Sequence, residues 1–164
     1  MAVERIHDYT ATVSWIGAHA GATSTYAGYS REHTIAFDGK PTLRGSADPT
    51  FRGDGSLVNP EELLLAALSS CHMLSYLAFC GLEGIEIVSY VDRAHGMMSE
   101  TGGSGRFVSV VLEPKVVVAR REHVDRARAL HGAAHEACFV ANSMNFPVLH
   151  KPSVSVAVAN ANGA

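Results

Sequence analysis

Asn59-Pro60-Glu61-Glu62-Leu63-Leu64-Leu65-Ala66-Ala67-Leu68-Ser69-Ser70-Cys71-His72-Met73-Leu74 decides the fold. It opens with the chemistry of a helix start. The Asn59 side chain can cap, Pro60 suits the first helical position, and Glu61 and Glu62 suit the positive end of the helix dipole. From Leu63 to about Phe79 nearly every position is apolar or small, a pattern that predicts a helix buried on all sides. A run of this kind can also suggest a membrane span. This one is short for a bilayer and carries Ser69, Ser70, Cys71, His72 and Ser75 in its middle. The reading is therefore a central core helix, ending near Gly81, with a thiol inside it.

The flanks set the class. Residues 9–16 and 29–37 alternate and are β-rich, Asp38-Gly39 is a turn signal, and a third strand starts near Lys40. Residues 44–58 read as loop. Beyond the helix, 85–92 and 107–118 predict a hairpin whose tip holds Gly102-Gly103-Ser104-Gly105. No Lys-Ser/Thr and no helix start follow those glycines, so they do not form a phosphate loop. A second helix is predicted over about 122–141, a last strand over 154–158 and a frayed tail over 159–164. The order βββ-α-ββ-α-β, with antiparallel hairpins, is α+β. A single domain over 1–164, with its core at about 9–158, is expected.

Composition narrows the function. The 164 residues are 47% hydrophobic and 18% charged, which fits a folded chain with a real core. A formal charge of -3 and no Lys/Arg run argue against nucleic acid as a partner. The N-terminal residues show no apolar leader, and a cytoplasmic address with no membrane association is expected. Three cysteines, Cys71, Cys80 and Cys138, argue against a disulfide framework and leave a redox pair, a metal site or packing open.

Taken alone, Cys71 in mid-helix reads first as a packed thiol. Making it a thiolate needs a neighbouring cation, and Arg is the one that stays charged. Cys138, expected on the inner face of the second helix, can resolve an oxidised Cys71 or only pack. Cys80 reads as core. A rival constellation is His131, His135 and Cys138 at i, i+4 and i+7, which with Cys71 or His72 would make a zinc site. A metal- or small-ligand-binding protein whose thiols do no redox chemistry is thus the alternative. A solvated His131 is the bland reading of that residue.

Three segments carry a resemblance. Asn59-Pro60-Glu61-Glu62-Leu63 followed by Ser69-Ser70-Cys71-His72-Met73-Leu74, then His135-Glu136-Ala137-Cys138-Phe139-Val140-Ala141-Asn142-Ser143, and Tyr29-Ser30-Arg31-Glu32-His33 ahead of Asp38-Gly39, together resemble the OsmC/Ohr family of osmotically induced and organic hydroperoxide resistance proteins. The resemblance spans about residues 9–158. It implies an OsmC-like fold, with antiparallel sheets, two main helices and the apolar helix at the interface of an intertwined homodimer. It also implies a thiol-dependent peroxidase that needs no cofactor, reduces organic hydroperoxides and is recycled by a dithiol such as a lipoylated protein. Carried over by residue, Cys71 is the peroxidatic thiolate, Cys138 the resolving thiol and Glu61 the acidic partner. The cation is Arg31 by the hydroperoxide-resistance pattern, with Arg52 the second candidate by the OsmC pattern. His72 departs from the better-known branches, which often carry Phe.

Glu61 and Cys71 are ten residues apart (71 − 61), about 15 Å along a continuous helix and on different faces. No Gly or Pro lies between them to break it. A site that uses both therefore draws Glu61 from a second subunit. Packing the helix antiparallel on its own copy would also cover its remaining apolar faces.

Overall fold

Strand β1 (Thr12–Trp15) pairs antiparallel with β2 (His33–Ala36), with Trp15 opposite His33. β2 in turn pairs antiparallel with β3 (Leu43–Gly45), and the three form one sheet. This computed structural model describes residues 4–157, which form two compact units meeting in sequence at Leu63/Leu64. The sheet belongs to the first. Val158 and the expected frayed tail lie outside the described residues.

The loop after β3 is held by local bonds. The Asp48 carboxylate accepts from the Thr50 amide, starting a single 3-10 turn over Pro49–Phe51. Arg52 closes that turn at φ 65°, the one non-glycine positive φ among the described residues. A Cβ at Gly53 would meet the Ala47 carbonyl oxygen at 1.6 Å, so only glycine fits there.

Helix α1 spans Pro60–Leu82 without a break. Its start is a reciprocal box. The Glu62 amide donates to the Asn59 side-chain oxygen at 2.8 Å, and the Asn59 amide donates to the Glu62 carboxylate at 3.0 Å. Its last residue is Leu82, and its capping glycine lies three residues beyond the expected Gly81. Gly84 takes φ 67°, its amide bonds to the Gly81 carbonyl, and the Ile85 amide reaches back to Cys80. That 6→1 and 5→2 pattern satisfies the last carbonyls, and Gly84 takes the left-handed position at no steric cost.

The second unit holds two three-stranded sheets. β4 (Ile87–Asp92) pairs antiparallel with β7 (Pro114–Val118), which pairs parallel with β9 (Ser153–Val156). β5 (His95–Thr101) pairs antiparallel with β6 (Ser104–Leu112), which pairs parallel with β8 (Val148–His150). The α+β class holds, with two corrections. The expected hairpin of 85–92 with 107–118 is two pairings, since Gly102 and Gly103, both at positive φ, turn β5 into β6, and β7 begins anew at Pro114. The sheets are mixed rather than purely antiparallel, because the segment after the helices returns beside β6 and β7 in the parallel sense.

The second helix is shorter than expected. α2 covers Val124–Glu136 after a 3-10 turn at Arg121–His123, and a separate turn, α3, covers Phe139–Asn142. Two cores form. Tyr76, Cys80, Ile85, Val116, Val118, Ala127, Leu130, Ala134 and Val154 bury together, as do Leu68, Val110, Leu112 and Val148. α1 is not buried all round in the single chain. Its buried residues are Leu68, His72, Tyr76 and Cys80, one stripe at i+4 spacing. Ala66, Ser70, Leu74, Ala78 and Leu82 are exposed, with Leu74 63% and Leu82 83% accessible.

Candidate active site

The contacts between α1 and α2 read down one helix as they read up the other. Arg126 of α2 holds Glu83, just past the end of α1, through a bidentate pair. Midway, His131 stacks on Tyr76, rings 3.9 Å apart and 9° from parallel, and shares a 3.0 Å hydrogen bond with His72. Beyond the end of α2, Cys138 lies near Cys71, whose side chain helps to raise the Cys138 thiol. The helices are therefore antiparallel, and this arrangement sets one thiol against the other.

Cys138 occupies the break between the helices. Its amide donates to the His135 carbonyl at 3.2 Å, ending α2, and its own carbonyl accepts from Asn142 at 2.9 Å, beginning α3. The side chain is fully buried, while Cys71 is half-buried; all three thiols are free. Burial pushes the Cys138 thiol up to about 11, and the neighbouring Cys71 adds to the rise. The Val140 and Ala141 amides face the sulfur and oppose that shift, short of a formed cap hydrogen bond. The arrangement thus sets a half-buried thiol near a buried one that keeps its proton at neutral pH.

The same geometry dismantles the zinc constellation. Cys138 lies outside α2, so it does not continue the face that carries His131 and His135. One nitrogen of His131 is engaged by His72, and among the described residues no group of three or more His, Cys, Asp or Glu is arranged to hold a metal ion. His131 is fully buried, not solvated.

What sequence reasoning missed is a buried cluster of rings around that pair. His72 and His131 are wholly inaccessible, and the rings are nearly coplanar at 9°. His150 lies 5.7 Å from His72, ring to ring, and 4.9 Å from His135. Burial is the main reason His72 falls to about 4, with His150 and His135 adding and Asp92 opposing. Burial likewise takes His131 to about 3, with His72 and His150 adding. Both rings are therefore neutral at pH 7, and one donates to the other. Whichever donates, the outer nitrogens, His72 Nδ1 and His131 Nε2, are left without a partner. The signal available in sequence was the stripe Leu68, His72, Tyr76, Cys80, which places His72 among core residues.

Cys80 lies nine residues beyond Cys71 (80 − 71) on the same helix, about 13 Å away. Its thiol is buried next to Tyr76, whose hydroxyl makes no well-formed hydrogen bond to it. Burial pushes the Cys80 thiol up.

In the first unit Arg31 is held in place. Its two terminal nitrogens donate to the Tyr29 and Tyr26 carbonyls, both at 2.6 Å, and the guanidinium lies 3.9 Å from the Tyr29 ring centre and 4.8 Å from that of Tyr26. It lines an open cleft of about 420 Å³ with Val13, Trp15, Tyr29, His33 and Pro60. Arg52 sits on the left-handed residue of the neighbouring loop, and Glu61 on the first turn of α1.

A mixed α+β chain whose central helix sets one cysteine against a second at a helix break defines a dithiol architecture. The profile of OsmC-like proteins matches residues 53–152, and the chain belongs to that family. An OsmC-like protein of unknown function from Vibrio cholerae is 33% identical, with 90% of this chain and 100% of that one covered and a TM-score of 0.82. An organic hydroperoxide resistance protein from Legionella pneumophila shares the fold at 19% identity, covering 94% and 100%, with a TM-score of 0.63. The uncharacterized protein YmaD of Bacillus subtilis is 25% identical over 95 residues, 56% of this chain and 63% of its own length, so the match spans less than two thirds of that relative.

Proposed function

We propose that this protein is a thiol peroxidase that reduces organic hydroperoxides with Cys71 and Cys138. The observation that carries the reading is the convergence of α1 and the break after α2, which brings a half-buried Cys71 near a buried Cys138. Structural similarity to organic hydroperoxide resistance proteins points the same way. The Cys71 thiolate attacks one peroxide oxygen and the O–O bond breaks. Cys71 becomes a sulfenic acid, and the alkoxide takes a proton and leaves as the alcohol. The Cys138 thiol then displaces water from the sulfenic acid to form the Cys71–Cys138 disulfide. A dithiol such as a lipoylated protein returns both cysteines to thiols. The protein works in the reducing cytoplasm on this reading.

Arg31 supplies the cation that favours the thiolate and donates to the peroxide oxygen, and Glu61 orients it. The support is its fixed guanidinium in a cleft lined by apolar and aromatic groups, which suits an organic tail. A peroxide panel run on wild type, Arg31→Ala and Arg52→Ala tests the assignment. Removing the working arginine costs about 10- to 100-fold in rate, the worth of a charge-assisted hydrogen bond. Full activity in Arg31→Ala with loss in Arg52→Ala transfers the role to Arg52.

The functional unit on this reading is a homodimer. α1 has the length and apolar composition of a membrane span, and only 22% of its most apolar window is buried in the single chain. The exposed stripe Ala66, Ser70, Leu74, Ala78 is built of small and apolar residues, which allow close approach of a second α1. The unbroken helix keeps Glu61 about 15 Å of rise from Cys71, so Glu61 serves the partner's thiol. Light scattering is expected to give twice the 17.4 kDa chain mass at low micromolar concentration. A monomer with full peroxidase activity contradicts the shared site.

A further inference from the structure

The buried imidazoles His72 and His131 do no chemistry in the reaction above, yet they lie beside the thiols on the same two helices. Among the described residues theirs is the one side-chain hydrogen bond with both partners inside α1 and α2, the Arg126–Glu83 pair lying just past the end of α1. Cys71 is the residue next to His72 on α1, and Cys138, which lies near it, is just past the end of α2.

We propose that the His72–His131 pair, backed by Tyr76, is a positioning device that fixes the spacing and register of α2 against α1 so that Cys138 meets Cys71. The inference rests on reading those two cysteines as a redox pair.

Three observations carry it. The rings are rigid and fully buried, and they are stacked or coplanar to 9°, so they fill the space between the helices with little freedom. The helix break that carries Cys138 is tied back to the same cluster, because the His135 ring meets His150 and His150 meets His72. A disulfide tolerates Cα separations of only about 4.4–6.8 Å, so a shift of about 1 Å between the helices strains or prevents the bridge. A buried polar pair is also an established way to specify register, at some cost in stability. An apolar pair of the same volume would hold the helices together but leave their relative slide less defined.

The test uses the full-length protein in glutathione buffers, with no peroxide. Protein dithiol and oxidised glutathione exchange to protein disulfide and two reduced glutathiones, and alkylation with peptide mapping reads the Cys71–Cys138 fraction. His131→Leu is expected to lower the equilibrium constant for that disulfide at least tenfold, about 30 mV in potential. His131→Gln, which keeps a group able to bond His72, should recover part of it. Ile85→Ala is the control. It removes a side chain from the same core as Tyr76, outside the ring cluster, and should lose stability yet stay within twofold of wild type in the exchange. An unchanged constant in His131→Leu, or an equal fall in Ile85→Ala, overturns the inference and makes the pair an ordinary core contact. If His131→Leu does not fold, His72→Phe, which removes the hydrogen bond and fills the space with another ring, is read by the same criteria. If the wild type forms no Cys71–Cys138 disulfide at any glutathione ratio, the redox-pair reading fails and the positioning role falls with it.

Discussion

Cys71→Ser is expected to bring hydroperoxide turnover down to the uncatalysed background, a loss on the order of a thousandfold or more. A serine hydroxyl at neutral pH neither ionises nor attacks the O–O bond, so no second group in the site substitutes for the thiolate. The fold should be unaffected. Cys71 is half-buried on α1 and makes no side-chain hydrogen bond among the described residues, so the exchange of sulfur for oxygen costs no more than about 1 kcal/mol. Cys138→Ser gives a different result. Its first turnover survives, because the peroxide step needs only Cys71, and the reaction then stops at a sulfenic acid that dimedone traps. Undiminished steady turnover in Cys71→Ser would remove the peroxidase assignment.

The second large effect is acid instability. The folded values of about 4 for His72 and about 3 for His131 lie below the ordinary 6.5. The unfolded chain therefore binds protons in a range where the folded one does not. Stability from this pair is complete above pH 6.5 and is lost as pH falls toward the folded values. Between pH 7 and pH 5 each imidazole withdraws about 2 kcal/mol, about 4 kcal/mol together, out of a typical total of about 5–15 kcal/mol. His150, also lowered by burial and by His135, adds in the same direction. Asp92 opposes the shift at His72 without cancelling it. Urea unfolding at pH 7.5, 6 and 5 should show the midpoint falling steeply. In the double variant His72→Leu/His131→Leu the slope flattens, because the buried pair is gone and only the smaller effect of His150 remains, while stability at pH 7.5 changes little. A wild-type midpoint that stays level down to pH 5 contradicts a buried neutral pair.

Where local rules act alone, the sequence was legible. Asn59, Pro60 and Glu62 announce the start of α1 because a cap is a matter of four consecutive residues, and the box forms as those residues dictate. The first two strands and the α+β class follow from alternation and turn residues, whereas β3, Leu43–Gly45, runs into the stretch expected as loop because β2 pairs with it there. Legibility failed where the deciding contact is distant. Gly81 resembles a helix stop, but Gly84 is the residue that takes the left-handed conformation, three positions on. β5 and β8 carry little alternation of their own and exist because β6 offers them two edges. α2 ends at Glu136 with no Gly or Pro to mark it, so Cys138 was expected on a helix face rather than at a helix break.

The site divides the same way. Cys71 and Cys138 were legible through a motif, and α1 and the break after α2 bring them near one another. His72, His131, His135 and His150 were visible only as scattered histidines. Their meaning depends on α1, α2 and β8 converging, and spacing along one helix suggested a metal site that the fold does not assemble. The apolar length of α1 suggested burial on every side. In one chain only its Leu68, His72, Tyr76, Cys80 stripe is fully buried, with Leu64, Leu65, Leu77 and Phe79 partly so, and the proposed dimer would cover the exposed face.

The central claim is that Cys71 and Cys138 form a dithiol that takes two electrons from an organic hydroperoxide. The most direct measurement mixes reduced protein with one equivalent of tert-butyl hydroperoxide per chain, quantifies tert-butanol, and maps the thiols by mass spectrometry. The account predicts one tert-butanol per chain and one Cys71–Cys138 disulfide, with Cys80 reduced. Unconsumed peroxide, or a disulfide that includes Cys80, would contradict it.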